Sequence, residues 1–253
     1  MTRLEIKPVL KKYDLTRLFG GGRTSRFSHS LRTKIKKLEH LFTKLLKPVL
    51  YYQRKRIVSI HRGSIHLEGG ITLSSPKLSK TMNGCEEIVC FVGTLGHGVE
   101  EKIRTLMGKN NLSEAYILDA MGSVAMESIV EKFHRQMINR YALKDKGITL
   151  PFSPGYCDWP LTEQLKLFDL FDSTDLGVKL NDSCLMKPRK SVSGVFGVTP
   201  SHCSIPFHAL NPCTRCAKQD CIARREGTED VYSQSIQKGY TNESAKRFAR
   251  GTI

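Results

Sequence analysis

No run of apolar residues in this chain approaches the roughly 18 to 20 needed to cross a bilayer as a helix, which excludes a helical membrane span. The N-terminus also lacks the apolar block and small-residue cleavage site of a secretory signal, so the expected compartment is the cytoplasm. Aromatics are sparse, with one Trp, and nowhere do they interleave with basic residues as a base-stacking surface requires; no nucleic-acid partner is expected. Acids are scarce in one region only. Residues 1–62 carry 17 Lys and Arg against 3 Asp and Glu, a balance of +14, while residues 63–253 carry 23 against 21. The formal charge of +16 therefore belongs to the first segment, and the rest is nearly neutral. Eight cysteines without signs of export fit thiols or metal ligands better than a disulfide framework. What is present in quantity is apolar residue, 40% of the 253, enough for a core and too much for a wholly disordered chain.

The pattern predicts three parts: a basic helical segment over 1–55 packed on the body, an α+β core over 56–200, and a cysteine-containing tail over 201–253. In the first, Gly20, Gly21 and Gly22 read as a turn or hinge. Leu31, Ile35, Leu38, Phe42, Leu45 and Val49 recur at helical spacing, with Arg32, Lys34, Lys36, Lys37 and Lys44 elsewhere on the cylinder. That is a docked helix with a solvated basic face, or one that meets an anionic membrane or an acidic partner.

From Arg56 the period changes to short strand-like pieces, Ile57 to Ile60, Ser64 to Leu67 and Ile71 to Leu73, parted by glycines. The unbroken run Ile88-Val89-Cys90-Phe91-Val92 reads as a central strand buried on both faces. Gly93 to Gly98 then turns into a helix that Gly108 ends; its glycines match no nucleotide-binding motif, and a plain tight turn is the reading. Ser113 is a candidate N-cap for a long helix to about Tyr141 with Met126, Val130, Phe133 and Met137 on its apolar face. Its first half is rich in small residues, Ala120, Gly122, Ser123 and Ala125, which admit a close backbone or a flat ligand. Glu127, Glu131 and His134 follow on one face.

Residues 151–160 hold the single Trp, three prolines and two further aromatics. Prolines reduce the entropy lost on ordering, so Phe152, Tyr156 and Trp159 are candidates to wall a planar ligand, or to form a structural aromatic corner. Asp158 is expected to cap a helix with Leu161, Leu165, Phe168 and Phe171 buried. Two strands are expected over Val178 to Met186 and Ser191 to Val198, the second with Ser191, Ser193, Gly194 and Gly197 leaving room for a ligand. Cys213, Cys216 and Cys221 place three thiols within nine residues, and Cys203 or His208 can supply a fourth ligand. The spacing fits zinc or an iron–sulfur cluster alike, with free thiols or a redox pair as the alternative.

Four segments, Phe91 to Gly96, Leu118 to Glu127, Phe152 to Leu161 and Lys190 to Gly197, together resemble the stand-alone relatives of the reactivation domain of cobalamin-dependent methionine synthase. The resemblance spans roughly residues 7–225. It implies an α+β fold with a curved, mainly antiparallel sheet flanked by helices. It also implies S-adenosylmethionine binding beside a corrinoid protein or methyltransferase: a reductase supplies an electron to the inactive cob(II) state, and the methyl group traps the resulting cob(I) as methylcobalamin. Methyl transfer is then shared with that corrinoid partner. By the same resemblance Glu127 lies at the S-adenosylmethionine site and Pro154, Gly155 and Tyr156 belong to its binding loop; with Ser153, Trp159, Ser193 and Gly194 these are the candidate ligand residues. The family's Arg five positions before the loop Tyr, which grips the ligand's carboxylate, is Pro151 here, and a Lys or Arg from elsewhere in the fold can take its place. Ser123 stands where the synthase domain has a second acid. The alternative function is a metal- or iron–sulfur-binding electron-transfer or docking partner of a corrinoid protein that does not bind S-adenosylmethionine.

Overall fold

A computed structural model describes residues 1–19, 27–171 and 175–200, without the side chains of residues 12, 13 and 17. The glycine hinge at 20–22 and the cysteine tail, with Cys203, His208, Cys213, Cys216 and Cys221, lie outside the described residues.

The sheet is built on β2 (Val49–His61) and β5 (Glu87–Thr94), which pair over Val49 to Arg56. β8 (Ser191–Val198) follows on the far side of β5, while β3 (Ser64–Leu67) and β4 (Thr72–Ser74) extend the sheet from the distal half of β2. β1 (Thr2–Leu4) pairs with the proximal half. The resulting order is β4-β3-β2-β5-β8, and every strand pair among the described residues is antiparallel. β5 is central and buried along nearly its whole length, as its continuous apolar run predicts.

Helices cover both faces. One face carries α1 (Lys12–Leu18), α2 (His29–Leu45), α4 (Gly98–Gly108) and the long α5 (Leu112–Ala142); the other carries α3 (Pro76–Thr81), a 3-10 turn at Leu161–Glu163 and α6 (Gln164–Asp169). A small hairpin, β6 (Lys179–Leu180) and β7 (Met186–Lys187), precedes β8. Strand alternation divides the core between the faces: Val89 and Phe91 point to α5, whereas Ile88, Cys90 and Val92 point to α3 and α6. At the centre of the α5 face, Phe133 meets Tyr52 of β2, Phe91 of β5 and Phe196 of β8 at ring-centroid distances of 5.2, 5.6 and 5.9 Å. No described helix is long and apolar enough to cross a membrane.

The elements depart from expectation where a local rule competes with periodicity. Val49 opens β2 instead of closing α2, because the backbone is already extended at the C-cap Leu46, and Lys47 beyond it, held off helical backbone by Pro48, donates its N–H to Leu95 O. β2 is much longer than the Ile57–Ile60 piece, and the boundary expected between residues 55 and 56 falls inside it. The N-cap of α5 is Asn111 rather than Ser113, whose hydroxyl instead bonds Glu114. The expected strand from Val178 to Met186 is the β6–β7 hairpin, folded back by Asn181 to Leu185. Leu165 is exposed and Gln164, Leu167 and Leu170 are buried, since the 3-10 turn, at about three residues per turn, shifts the helical phase.

Truncating Phe133 removes one side chain that three strands share. Phe133→Ala should cost about 3–5 kcal/mol in the urea unfolding free energy. A loss under about 1 kcal/mol would show that α5 is held elsewhere.

Candidate functional site

Of the candidate ligand residues, the seam between α5 and β8 gathers Glu127, Ser153 and Gly194. Ser123, Glu127, Val130 and His134 occupy a strip of about 60° on α5. At one end of the strip, Lys190, just before β8, lays its side chain across Gly122: a Cβ there would stand 2.9 Å from Lys190 Cε. Its ammonium lies 2.9 Å from Asp119 Oδ1 and 3.0 Å from Ser123 Oγ. At the other end, buried His134 donates from Nε2 to Thr149 O at 2.8 Å. Thr149 in turn donates its N–H to Gly197 O and accepts Gly197 N–H at its hydroxyl, tying the far end of β8 to the same helix. Between these anchors a Cβ on Gly93 would touch Met126 Cε and Val192 Cγ1, each at 3.6 Å. Half-buried Glu127 is thereby level with the first half of β8.

The proline-rich segment flanks this seam. Phe152 and Val195 exchange two backbone hydrogen bonds of 2.8 Å, so the segment adds a short bridge to the outer edge of β8. Ser153 follows directly, and its Oγ would stand 2.9 Å from a Cβ placed on Gly194. Ser153 and Gly194 are therefore neighbours on the seam. Asp158 caps a helix, though not its own: its carboxylate accepts Ser75 Oγ–H at 2.6 Å and Lys77 N–H at 3.0 Å, at the N-terminus of α3.

Other candidates are placed differently. Trp159 is only 1% exposed and packs on Phe152 at 6.0 Å between centroids, inside the core under β5 and β8. Pro154 is buried, and Tyr156 is 61% exposed. Phe152 and Trp159 thus form the structural corner, and the three aromatics do not wall one open cleft. Buried Ser193 donates its hydroxyl to Gln164 Oε1 at 2.9 Å. The small residues of β8 make room for the protein itself: a Cβ on Gly194 would meet Phe91 Cζ at 2.8 Å, and one on Gly197 would meet Cys85 Sγ at 2.5 Å and Met82 Sδ at 2.6 Å. The small row on α5 likewise holds neither a backbone nor another helix at Gly122, but the chain of Lys190. Lys190 and Asp119 are not among the residues singled out above from the sequence, although both sit inside the motifs quoted for the resemblance.

A cavity of about 350 Å³ lies at the C-terminal end of β5, where Leu95 donates its N–H to Lys190 O, and is lined by Leu45, Lys47, Thr94, His97 and Glu101 among others. The turn beside it needs glycine: a Cβ on Gly98 would stand 2.7 Å from Leu45 O. Among the described residues no cluster of three or more His, Cys, Asp or Glu is arranged to hold a metal.

A sequence-family model described as "Vitamin B12 dependent methionine synthase, activation domain" matches residues 77–226, more than half of the chain. The chain belongs to this activation-domain family. A search of curated proteins finds none that matches. Among solved structures, a crystal structure of the MetH reactivation domain bound to AdoHcy has the same fold, with a TM-score of 0.54 at 17% identity over 73% of each chain. The curved antiparallel sheet with flanking helices is therefore that of the activation domain. The family match takes in Ser123, Glu127, the proline-rich loop, Lys190 and the segment with Cys213, Cys216 and Cys221.

Two measurements probe how this activation-domain member uses its small and sulfur-bearing residues. Gly197→Ala forces a methyl against Cys85 and Met82 and should cost about 1–3 kcal/mol by urea denaturation. An unchanged midpoint would show slack at that contact. Burial pushes the Cys90 thiol up to about 12 and that of Cys85 to about 11, so neither offers thiolate at neutral pH. In the folded protein at pH 8, mass-mapped alkylation should label exposed Cys157 and leave Cys85 and Cys90 protected until denaturant is added. Prompt labelling of Cys90 would contradict the burial of β5.

Proposed function

We propose that this protein binds S-adenosylmethionine on the α5–β8 seam and assists the reductive remethylation of a corrinoid methyltransferase related to methionine synthase. The observation that carries the reading is the position of Glu127. It is a half-buried carboxylate on the strip between the Lys190 and Thr149 anchors, in a chain of the activation-domain family. The donor set fits the ligand. A carboxylate offsets the positive sulfonium, Lys190 supplies positive charge one turn away, and the proline-stiffened backbone beside Ser153 adds a rigid edge with little ordering entropy. S-adenosylmethionine supplies the methyl group; the protein contributes binding and orientation toward the corrinoid carried by its partner. The sulfonium becomes a neutral thioether on methyl loss, so attraction to Glu127 ends with transfer and favours release of the product.

The basic exposed face of α2, with Arg32, Lys36, Lys37 and Lys44 on the solvent side, gives the protein a surface that attracts acidic partners at low ionic strength. A reductase that supplies the electron belongs to the same proposal.

Calorimetry tests the binding step. The wild-type chain should bind S-adenosylmethionine more tightly than S-adenosylhomocysteine. Glu127→Gln should weaken the first about tenfold and the second much less, because only the first carries the sulfonium charge. Absence of heat with either ligand would refute the assignment.

A further inference from the structure

We propose that Lys190 receives the carboxylate of the ligand's amino-acid end, with Asp119 presenting its ammonium; this rests on the S-adenosylmethionine reading above. A carboxylate leaving water requires N–H donors, and a charged donor serves it best. Pro151 offers neither a guanidinium nor a backbone N–H.

Lys190 is an unusual ion-pair member. Its side chain is 13% exposed, while that of its partner Asp119 is 43% exposed. Every other Lys or Arg in an ion pair among the described residues is more exposed than Lys190. A surface pair normally leaves the lysine head in water and its stem on the protein; here the head is drawn inward. Gly122 makes that path possible, since any Cβ there would collide with the Lys190 methylenes. An ammonium has three N–H groups. Among the described residues Asp119 and Ser123 take two of them, which leaves the third for a ligand oxygen.

The spacing also fits. Ser123, where the ammonium rests, is one helical turn before Glu127. The four bonds from a sulfonium sulfur to the carboxyl carbon of the same ligand span about that turn, about 5.4 Å. A sulfonium beside Glu127 thus brings its carboxylate to Lys190, and the seam reads both charges of one zwitterion.

The test compares S-adenosylmethionine with its decarboxylated analogue by calorimetry on the full chain. Wild type should prefer the carboxylated ligand by about tenfold. Lys190→Met should bring that ratio to about one by weakening S-adenosylmethionine alone. Asp119→Asn, which releases the ammonium from its partner, should raise the ratio. A Lys190→Met chain that still prefers the carboxylated ligand would overturn the proposal and leave Lys190 a brace between β8 and α5. Should that variant fail to fold by circular dichroism, Asp119→Asn decides: a raised ratio supports the assignment and an unchanged one overturns it. If wild type binds the two ligands equally, the carboxylate assignment falls alone; if it binds neither, the S-adenosylmethionine reading falls with it.

Discussion

The seat of α5 on the sheet is the constraint on which the rest of this structure depends. Phe133 reaches one aromatic side chain from each of β2, β5 and β8, and that packing sets both the height and the rotation of the helix. Rotation matters most. Because Phe133 faces the sheet, the adjacent strip with Ser123, Glu127 and His134 turns toward the outer edge of β8. A core contact thereby decides which polar side chains share a seam.

Two polar clamps then fix the length of that seam. Lys190 joins the start of β8 to the first half of α5, and Thr149 joins the end of β8 to His134. The second is not a surface contact of the kind that contributes little: His134, Thr149 and Gly197 are buried, and Thr149 hydrogen-bonds both of the others. Polar groups held in this way are costly to separate, because each would be left unsatisfied out of water. The proline-rich segment enters between the clamps and bonds to Val195, so the chain supplies its own edge partner for part of β8.

The same economy of space accounts for the glycines. Gly122, Gly194 and Gly197 each stand where a methyl group would strike a neighbour, and the neighbours are a lysine chain, an aromatic ring with a loop backbone, and two sulfur side chains. Small residues in a motif thus record close approach without recording what approaches. This is why room for a ligand on β8 was a reasonable expectation from composition and why the structure fills it with protein.

Local rules made several elements legible in the order of residues alone: the central strand at Ile88 to Val92, the hairpin pieces at 64–67 and, one residue out of place, 71–73, the long helix ending near Tyr141, and the basic helix on its apolar stripe. Each follows from a repeat of two or 3.6 residues or from an unbroken apolar run. Family membership was legible too, because it rests on residue identities. The burial of Trp159, the pairing of Asp158 with another helix, the commitment of Ser193 to Gln164 and the inward lysine were decided only by tertiary structure. These contacts join residues 29 to 83 positions apart, and periodicity carries no information about which side chain will meet another across that distance.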